Sequence, residues 1–572
     1  MHKQINRYTL LLLLACVVSL IVFLGNAWFN TKGEPREAVV AVSMLKYGNW
    51  ILPVNNGVDI AYKPPFFHWC IAALSLLQGY VSEFTARLPS ALALTAVVIT
   101  GFRFYARRTS ADVALLAAII TLTNFELHRA GTNCRVDMVL CAAMVLALYS
   151  LYRWSERGLR GLPLAAVLCM SAAFLTKGPV GVVLPCLVTF VYMWIRGAGF
   201  LRLVWKFALV AIASCVLPVC WYVAAWTQGG DTFLELIYEE NVLRFLGKMS
   251  YESHVNPWWY NVVTVVAGYV PYTLLVVMSL FVIKYKKVKG RPREWWEKFR
   301  TYIREMDNVR LFSLLAIVLI FVFYCIPKSK RSVYLLPIYP FLAYFLAEYM
   351  VYLAKRHLRT LRAFGYVLFA LALVVFGAFV AVRAGAVPDT IFSGKHAAEN
   401  IAFMRALETQ PLGFTGIIAI AAPLVAGVVF IMSRRRSLMA QVYTLTAVPF
   451  AVFFSLDGWY TATVLNTKSD IDVAQQINRV VPTGDAYWFS KKIEKVDPMR
   501  PFTVNFYLND RVKPFDDFLP KSGYVLSSDD DMPAFKERHP EYDIAEVADY
   551  NHRSCDTKQW YKLYKFSRQV DK

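Results

Sequence analysis

Apolar runs long enough to approach or exceed the thickness of a bilayer recur thirteen times along this chain, and no other feature limits its folding so severely. A helix needs about 20 mainly apolar residues to traverse the hydrocarbon core, and within lipid its backbone groups must be satisfied internally. The runs predict spans over roughly 8–29, 86–104, 111–126, 137–153, 163–177, 179–195, 205–226, 258–283, 310–326, 333–353, 363–382, 414–432 and 439–457. The fifth and sixth are parted only by Lys177-Gly178-Pro179. The composition points the same way, with 57% hydrophobic and 18% charged residues and a mean hydropathy of +0.42. Soluble domains are roughly 45–50% apolar and about 25% charged. The run from Tyr8 to Phe29 exceeds a signal-peptide core and precedes no small-residue cleavage site, so it reads as a retained first span.

Lys and Arg outnumber Asp and Glu by 61 to 40, a net charge of +21. In a soluble protein that excess would point to nucleic acid. Here most of it lies in short loops between apolar runs, where it sets orientation instead. An inside N-terminus places Arg103/Arg107/Arg108, Arg153/Arg157/Arg160, Arg196/Arg202/Lys206, the loop 284–309, Lys355/Arg356/Arg359/Arg362 and Arg434/Arg435/Arg436 on the inner side. The alternation closes only if the apolar segment 64–80 does not span. It opens on Lys63-Pro64-Pro65 and contains His68 and Gln78, so it is expected to be a juxtamembrane helix at the outer surface. Residues 458–572 then fall outside the cytoplasm. Of the 10 cysteines, only Cys134 and Cys555 lie away from apolar stretches, and neither a disulfide framework nor a zinc-ligand spacing is evident.

The outer side carries the segments 30–85, 227–257, 383–413 and the tail. In the tail the apolar runs stop and charges of both signs mix. Ile471–Val481 has helical spacing, while Ala486–Phe489, Thr503–Leu508, Tyr524–Leu526 and Leu563–Phe566 read as strands, together a small α/β domain.

Positive charge should be scarce outside, so Arg36, Lys63, Arg129, Arg135, Lys177, Lys328, Lys330 and Arg331 stand out. A basic group at the disfavoured bilayer edge is a functional candidate, with an anion such as a lipid phosphate as partner; headgroup snorkelling is the bland alternative for any one of them. Glu34, Glu37 and Asp137 sit at the same edge. A carboxylate there can deprotonate an acceptor hydroxyl while cations neutralise a phosphate leaving group, or it can be an ordinary ion-pair partner or helix cap. His254 precedes Trp258-Trp259-Tyr260, which suits an interfacial aromatic belt as well as a sugar platform.

These features resemble a known family. The chain carries Gly33-Glu34-Pro35-Arg36-Glu37-Ala38, Gly48-Asn49-Trp50-Ile51-Leu52-Pro53, Lys63-Pro64-Pro65-Phe66-Phe67-His68-Trp69 and Ala86-Arg87-Leu88-Pro89-Ser90. Further on come Val136-Asp137-Met138, Leu175-Thr176-Lys177-Gly178-Pro179, Glu240-Asn241-Val242-Leu243-Arg244-Phe245, Pro257-Trp258-Trp259-Tyr260 and Lys328-Ser329-Lys330-Arg331-Ser332-Val333-Tyr334-Leu335-Leu336-Pro337. Their order and spacing resemble the aminoarabinose transferases of lipid A and the related protein O-mannosyltransferases, GT-C fold glycosyltransferases that use lipid-linked sugars.

The resemblance implies an all-α polytopic membrane protein of the bacterial inner membrane. Residues 1–457 would form a transmembrane GT-C catalytic domain and 458–572 a soluble periplasmic α/β domain. A monosaccharide would pass, with inversion, from undecaprenyl phosphate to lipid A or to a glycan or protein. It implies Glu34 and Asp137 as catalytic carboxylates and Arg36, Lys63 and Lys177 on the donor phosphate, with Lys328, Lys330 and Arg331 as further contacts. Glu37, Tyr62, His254, Trp258 and Trp259 would line the substrate. Two departures matter: the first acid of the family's signature is Gly33 here, and the metal-site glutamate before Lys-Pro-Pro is Tyr62, so no metal or other cofactor is expected. A monomer without nucleic acid is expected. A lipid or sugar transporter would instead require inverted repeats and charges at mid-membrane, and a scaffold would have no reason to keep the outer cations.

Overall fold

The computed structural model describes residues 2–243, 246, 248, 255–283, 292–491 and 500–569. Among them, nine helices are long and apolar enough to cross a membrane. Two bent pairs raise the number to eleven: Ala111–Leu122 with Phe125–Gly131 (64°), and Tyr260–Gly268 with Tyr272–Leu280 (105°). The remaining two expected positions hold shorter apolar helices, Leu164–Lys177 and Val180–Ile195, whose 14 and 16 residues reach only about 21 and 24 Å at 1.5 Å per residue. The protein is a multi-pass, mainly helical membrane protein.

Burial separates the bundle's centre from its rim. Val136–Glu156 has 83% of its apolar window inside, against 22% for Leu358–Arg383; apolar side chains on the rim face lipid at no hydrophobic cost. The central helices meet through aromatic rings, with Tyr105 stacked on Tyr344 at 4.4 Å and Phe104 on Tyr149 at 4.4 Å.

One end of the bundle is built by three non-spanning pieces. Helix Gly33–Tyr47 ends on Gly48, whose φ of 73° caps it in the left-handed region. A hairpin follows, β1 (Val54–Asn55) against antiparallel β2 (Asp59–Ile60). Helix Phe66–Ser75 has 10 residues, far too few to span, as expected of a juxtamembrane element. The long helix that begins at Phe200 breaks at Gly230 (φ 55°, ψ −145°), so the turns up to Tyr238 lean back over this end.

The C-terminal segment docks onto the same end. Strands β3 (Ala486–Trp488), β4 (Val512–Pro514), β5 (Ser522–Ser527), β6 (Tyr542–Arg553) and β7 (Trp560–Arg568) form one mixed sheet in the order β4-β3-β5-β7-β6. β3 pairs parallel with β4 and β5, and β7 antiparallel with β5 and β6. Successive residues face opposite ways. Leu526 and Leu563 pack with Val473, Ile477 and Val504 of the helices on one face, and Val525 and Tyr564 with Phe515 and Phe535 on the other. The run Thr503–Leu508, expected as a strand, lies in helix Phe502–Tyr507. A six-residue apolar run has no decisive period, and Asp556 fixes its first turn by accepting from the Thr503 backbone N–H at 2.6 Å.

Docking centres on Asp510, which is fully buried and accepts from the Asn56 backbone N–H at 2.9 Å, with Ser43 Oγ 3.0 Å away. Lys46 donates to the Asn509 carbonyl at 2.8 Å, and the Arg500 guanidinium reaches Asp59. The C-terminal segment therefore helps to enclose the space above the bundle.

Candidate active site

Glu37 organises the first cluster. Arg36 and Lys63 donate to Glu37 Oε1, each at 3.0 Å, and His68 Nε2 lies 3.0 Å from Oε2. Glu37 comes from the second turn of Gly33–Tyr47 and His68 from helix Phe66–Ser75, so the cluster ties these elements together. Burial raises the Glu37 carboxyl, but the charges of Lys63 and Arg36 and the His68 hydrogen bond outweigh it and hold the group well below the usual carboxylate range. Lys63 is lowered by burial and by the neighbouring Arg36 charge, against the pull of Glu37. A cavity of about 560 Å³ opens beside this cluster, lined also by Tyr62, Glu239, Glu240 and, from the C-terminal segment, Arg500 and Phe502.

Asp137 and Lys177 form the second cluster. They make a direct ion pair, and the Lys177 ammonium lies 4.4 Å from the Tyr334 ring centroid. Asp137 stands in the first turn of Val136–Glu156, and Lys177 closes Leu164–Lys177. Arg129, Arg135, Arg331 and Asp137 line a recess of about 260 Å³. The clusters adjoin: a Cβ on Gly178 would lie 3.2 Å from Asn241 Oδ1, next in sequence to Glu240 of the first cavity.

Glu34 differs from an acceptor-facing carboxylate. Arg87 Nε and Nη2 bond its two oxygens at 2.8 and 3.0 Å, and the Cys134 backbone N–H adds a third bond at 2.9 Å. Burial raises this carboxyl, yet Arg87 and the Cys134 N–H leave it below its ordinary value. The other expected residues spread out. Lys330 is buried and donates to the Pro327 carbonyl at 2.6 Å and the Asn256 carbonyl at 3.3 Å, so its charge serves the loop. Lys328 is exposed, as are Trp258 and Trp259 at 72% and 53%, which suits a bilayer-edge belt. His254 lies outside the described residues. His68 and Arg87 were missed as partners, although a histidine in an apolar helix and an arginine opening a span were the signals available.

The donors at the first cavity are largely engaged with one another. Glu37 bonds His68, Arg36 and Lys63, and Tyr62 places a phenol beside Glu239 and Glu240 on the cavity wall. Among the described residues, the one converging trio of potential ligands is Asp470, Cys555 and Asp556, in the C-terminal segment.

A many-span bundle whose non-spanning loops and C-terminal sheet roof a cation-lined cavity has the architecture of the GT-C fold. Over 98% of both chains the structure superposes on crystal structures of ArnT from Cupriavidus metallidurans, bound to undecaprenyl phosphate (TM-score 0.70, 20% identity) and in the apo state (TM-score 0.69). The protein is thus a GT-C fold membrane protein resembling the aminoarabinose transferases. The family model for dolichyl-phosphate-mannose-protein mannosyltransferases matches residues 62–222. An undecaprenyl phosphate-alpha-4-amino-4-deoxy-L-arabinose arabinosyl transferase from Proteus mirabilis is 26% identical over 63% of this chain and 62% of its own length. One from Pseudomonas savastanoi is 28% identical over 67% and 68%. An uncharacterized protein from Aquifex aeolicus is 28% identical over 59% and 63%. The chain spans about three-fifths of the length of most of these relatives.

Proposed function

We propose that the protein is an inner-membrane glycosyltransferase that moves a monosaccharide from undecaprenyl phosphate to an acceptor on the periplasmic side, with lipid A as the acceptor. The Glu37–Arg36–Lys63–His68 cluster carries this reading: a fixed carboxylate holds two cations, one of them poised with reduced proton affinity, at the rim of a cavity large enough for a sugar phosphate. An oxygen of the acceptor attacks the anomeric carbon as the bond from that carbon to the donor's phosphate oxygen breaks. The electron pair leaves with undecaprenyl phosphate, whose added charge Lys63 and Arg36 neutralise, with Lys177 across the boundary of the clusters. Fixed cations aimed at developing charge in a site of low dielectric are an effective form of transition-state stabilisation.

An acceptor phosphate is already ionised and needs no base, which agrees with Gly33 at the position of the family's first acid and with Glu34 engaged by Arg87. A sugar or protein hydroxyl as acceptor would need Asp137, whose carboxylate pairs with Lys177. The test is reconstitution of the full chain in liposomes with undecaprenyl-phosphate-linked sugars and candidate acceptors, followed by mass spectrometry. A sugar mass added to lipid A, with undecaprenyl phosphate released in equal amount, is expected. Transfer from a nucleotide sugar alone, or full turnover by a Lys63→Ala/Lys177→Ala double variant, would overturn it.

A further inference from the structure

Arg135 occupies a place that only a glycine leaves open. A Cβ built on Gly33 would fall 1.8 Å from Arg135 Nη2 and 2.4 Å from its Cζ, so the guanidinium lies directly over the Gly33 backbone. The side that would carry an acid in the resembling family is filled here by a cation. Among the described residues, neither Arg135 nor Arg331 has a carboxylate within salt-bridge distance, whereas Arg129 pairs with Glu126 at 2.7 Å and Lys177 with Asp137. The recess therefore holds two more cations than it has carboxylates to match. Their charges act on Glu34, which Arg87 already bonds, and on Asp137, which Lys177 already pairs. Partly buried cations in excess of their carboxylates are costly unless an anion joins them.

The surroundings say which kind of anion. Arg129 and Arg135 also line a second cavity of about 550 Å³. One wall is apolar, with Leu20 from the first span, Phe23 just beyond its end, and Phe453 and Leu456 from the last span. Its polar wall adds the His128–Asp457 pair, at 2.6 Å. A cavity apolar between membrane spans and cationic at its head fits an amphiphile with a phosphate headgroup, and the planar guanidinium matches phosphate oxygens in pairs.

We propose that Arg135, with Arg129 and Arg331, binds the phosphate monoester of the lipid acceptor, and that Gly33 is a specificity-determining residue because it leaves room for the Arg135 guanidinium. This rests on the transferase reading for the acceptor's role, but the binding site is testable without turnover. Arg135 would orient one phosphate oxygen toward the donor's anomeric carbon from the side of the Asp137–Lys177 pair, while Lys63 and Arg36 hold the other phosphate. Two lipid phosphates thus compete as sources for the anion, the acceptor's and the donor's.

The experiment measures binding to the full chain in nanodiscs for three probes: lipid A, dephosphorylated lipid A and undecaprenyl phosphate. The wild type is compared with Arg135→Ala, Arg135→Lys and Gly33→Ala. The last keeps every charge and only displaces the flexible end of Arg135. Loss of a charge-assisted contact of this kind is worth about 10- to 100-fold in affinity. Expected are such a loss for lipid A in Arg135→Ala and Gly33→Ala, a smaller one in Arg135→Lys, and unchanged undecaprenyl phosphate binding throughout. Removing the lipid phosphates should weaken wild-type binding and erase the differences among variants. Weakened undecaprenyl phosphate binding, or lipid A binding indifferent to Arg135 or to its phosphates, would overturn the assignment. Phosphate-dependent binding without sugar transfer from any polyprenyl phosphate would keep the site and overturn the transferase reading.

Discussion

Substituting Glu34→Gln separates a chemical role from a structural one. In the structure the carboxylate meets Arg87 through two bonds of 2.8 and 3.0 Å and the Cys134 N–H at 2.9 Å, with Glu34 5% and Arg87 3% exposed. Arg87 also donates from Nη1 to the carbonyls of Leu24 and Ala27 at 3.0 and 2.5 Å, so its guanidinium cannot follow a lost partner into water. Removing one member of a buried pair costs about 3–5 kcal/mol, because the other charge stays buried and unpaired. Spread over a chain of this size, that corresponds to a fall of roughly 2–4 °C in the thermal midpoint. Arg87→Gln should fall similarly, and the double variant by less than the sum, the coupling expected of contacting residues. The folded carboxyl lies below its ordinary value, so its contribution is complete above the ordinary carboxylate range and vanishes as pH drops through the lower folded value. The wild-type advantage over Glu34→Gln should therefore hold at neutral pH and close in acid. Fluorescence-monitored melting in detergent, run beside a transfer assay, checks this. An unchanged midpoint with turnover reduced 100-fold or more, the signature of a lost general base, would refute the structural assignment.

Other expectations follow from the same geometry. Glu37→Gln should weaken undecaprenyl phosphate binding by about 10-fold or more, since Lys63 and Arg36 lose the carboxylate that fixes them; titration in nanodiscs measures it. Because the Glu37 carboxyl is held well below the ordinary range, it should add no step to the pH profile of that binding in the ordinary carboxylate range, and the one step expected below neutrality is the ligand's own second phosphate ionisation at about pH 6. Asp510→Ala removes the buried acceptor that joins the C-terminal segment to Asn56, at about 1–3 kcal/mol; faster proteolytic release of the segment is the readout. Lys330→Ala should lower stability with little effect on donor affinity, since its ammonium already bonds two carbonyls. A large selective loss of donor binding would return it to the site.

The parts of this molecule legible in the sequence depend on local properties. Hydropathy marked each position where an apolar helix stands, and the charge alternation, with Lys63-Pro64-Pro65, His68 and Gln78, set the segment 64–80 apart as non-spanning, where the structure has the 10-residue helix Phe66–Ser75. Charge placed Arg36, Lys63, Asp137 and Lys177 at one edge. Which charges meet is a property of the fold: Arg87 reaches Glu34 across 53 positions, and Arg135 settles over Gly33 across 102, and neither pairing leaves a local pattern. In the C-terminal segment the helix at Ile471–Val480 and the strands β3, β5 and β7 stand where the spacing put them, and two elements escaped for a different reason. Thr503–Leu508 is apolar in both periods, and its helix is decided by Asp556. The strand pattern of β6 is diluted by bulges between Glu546 and Ala548 and between Asp549 and Arg553.

The central claim is that a lipid-borne phosphate is held between the juxtamembrane helix and the bundle. Cryo-electron microscopy of the full chain in nanodiscs with undecaprenyl phosphate tests it most directly. The expected map has phosphate density within hydrogen-bond reach of the Lys63 ammonium, beside Arg36 and toward Lys177. Phosphate density at the opposite end of the bundle, or seated on Arg135 while the Lys63 cavity holds none, would contradict it.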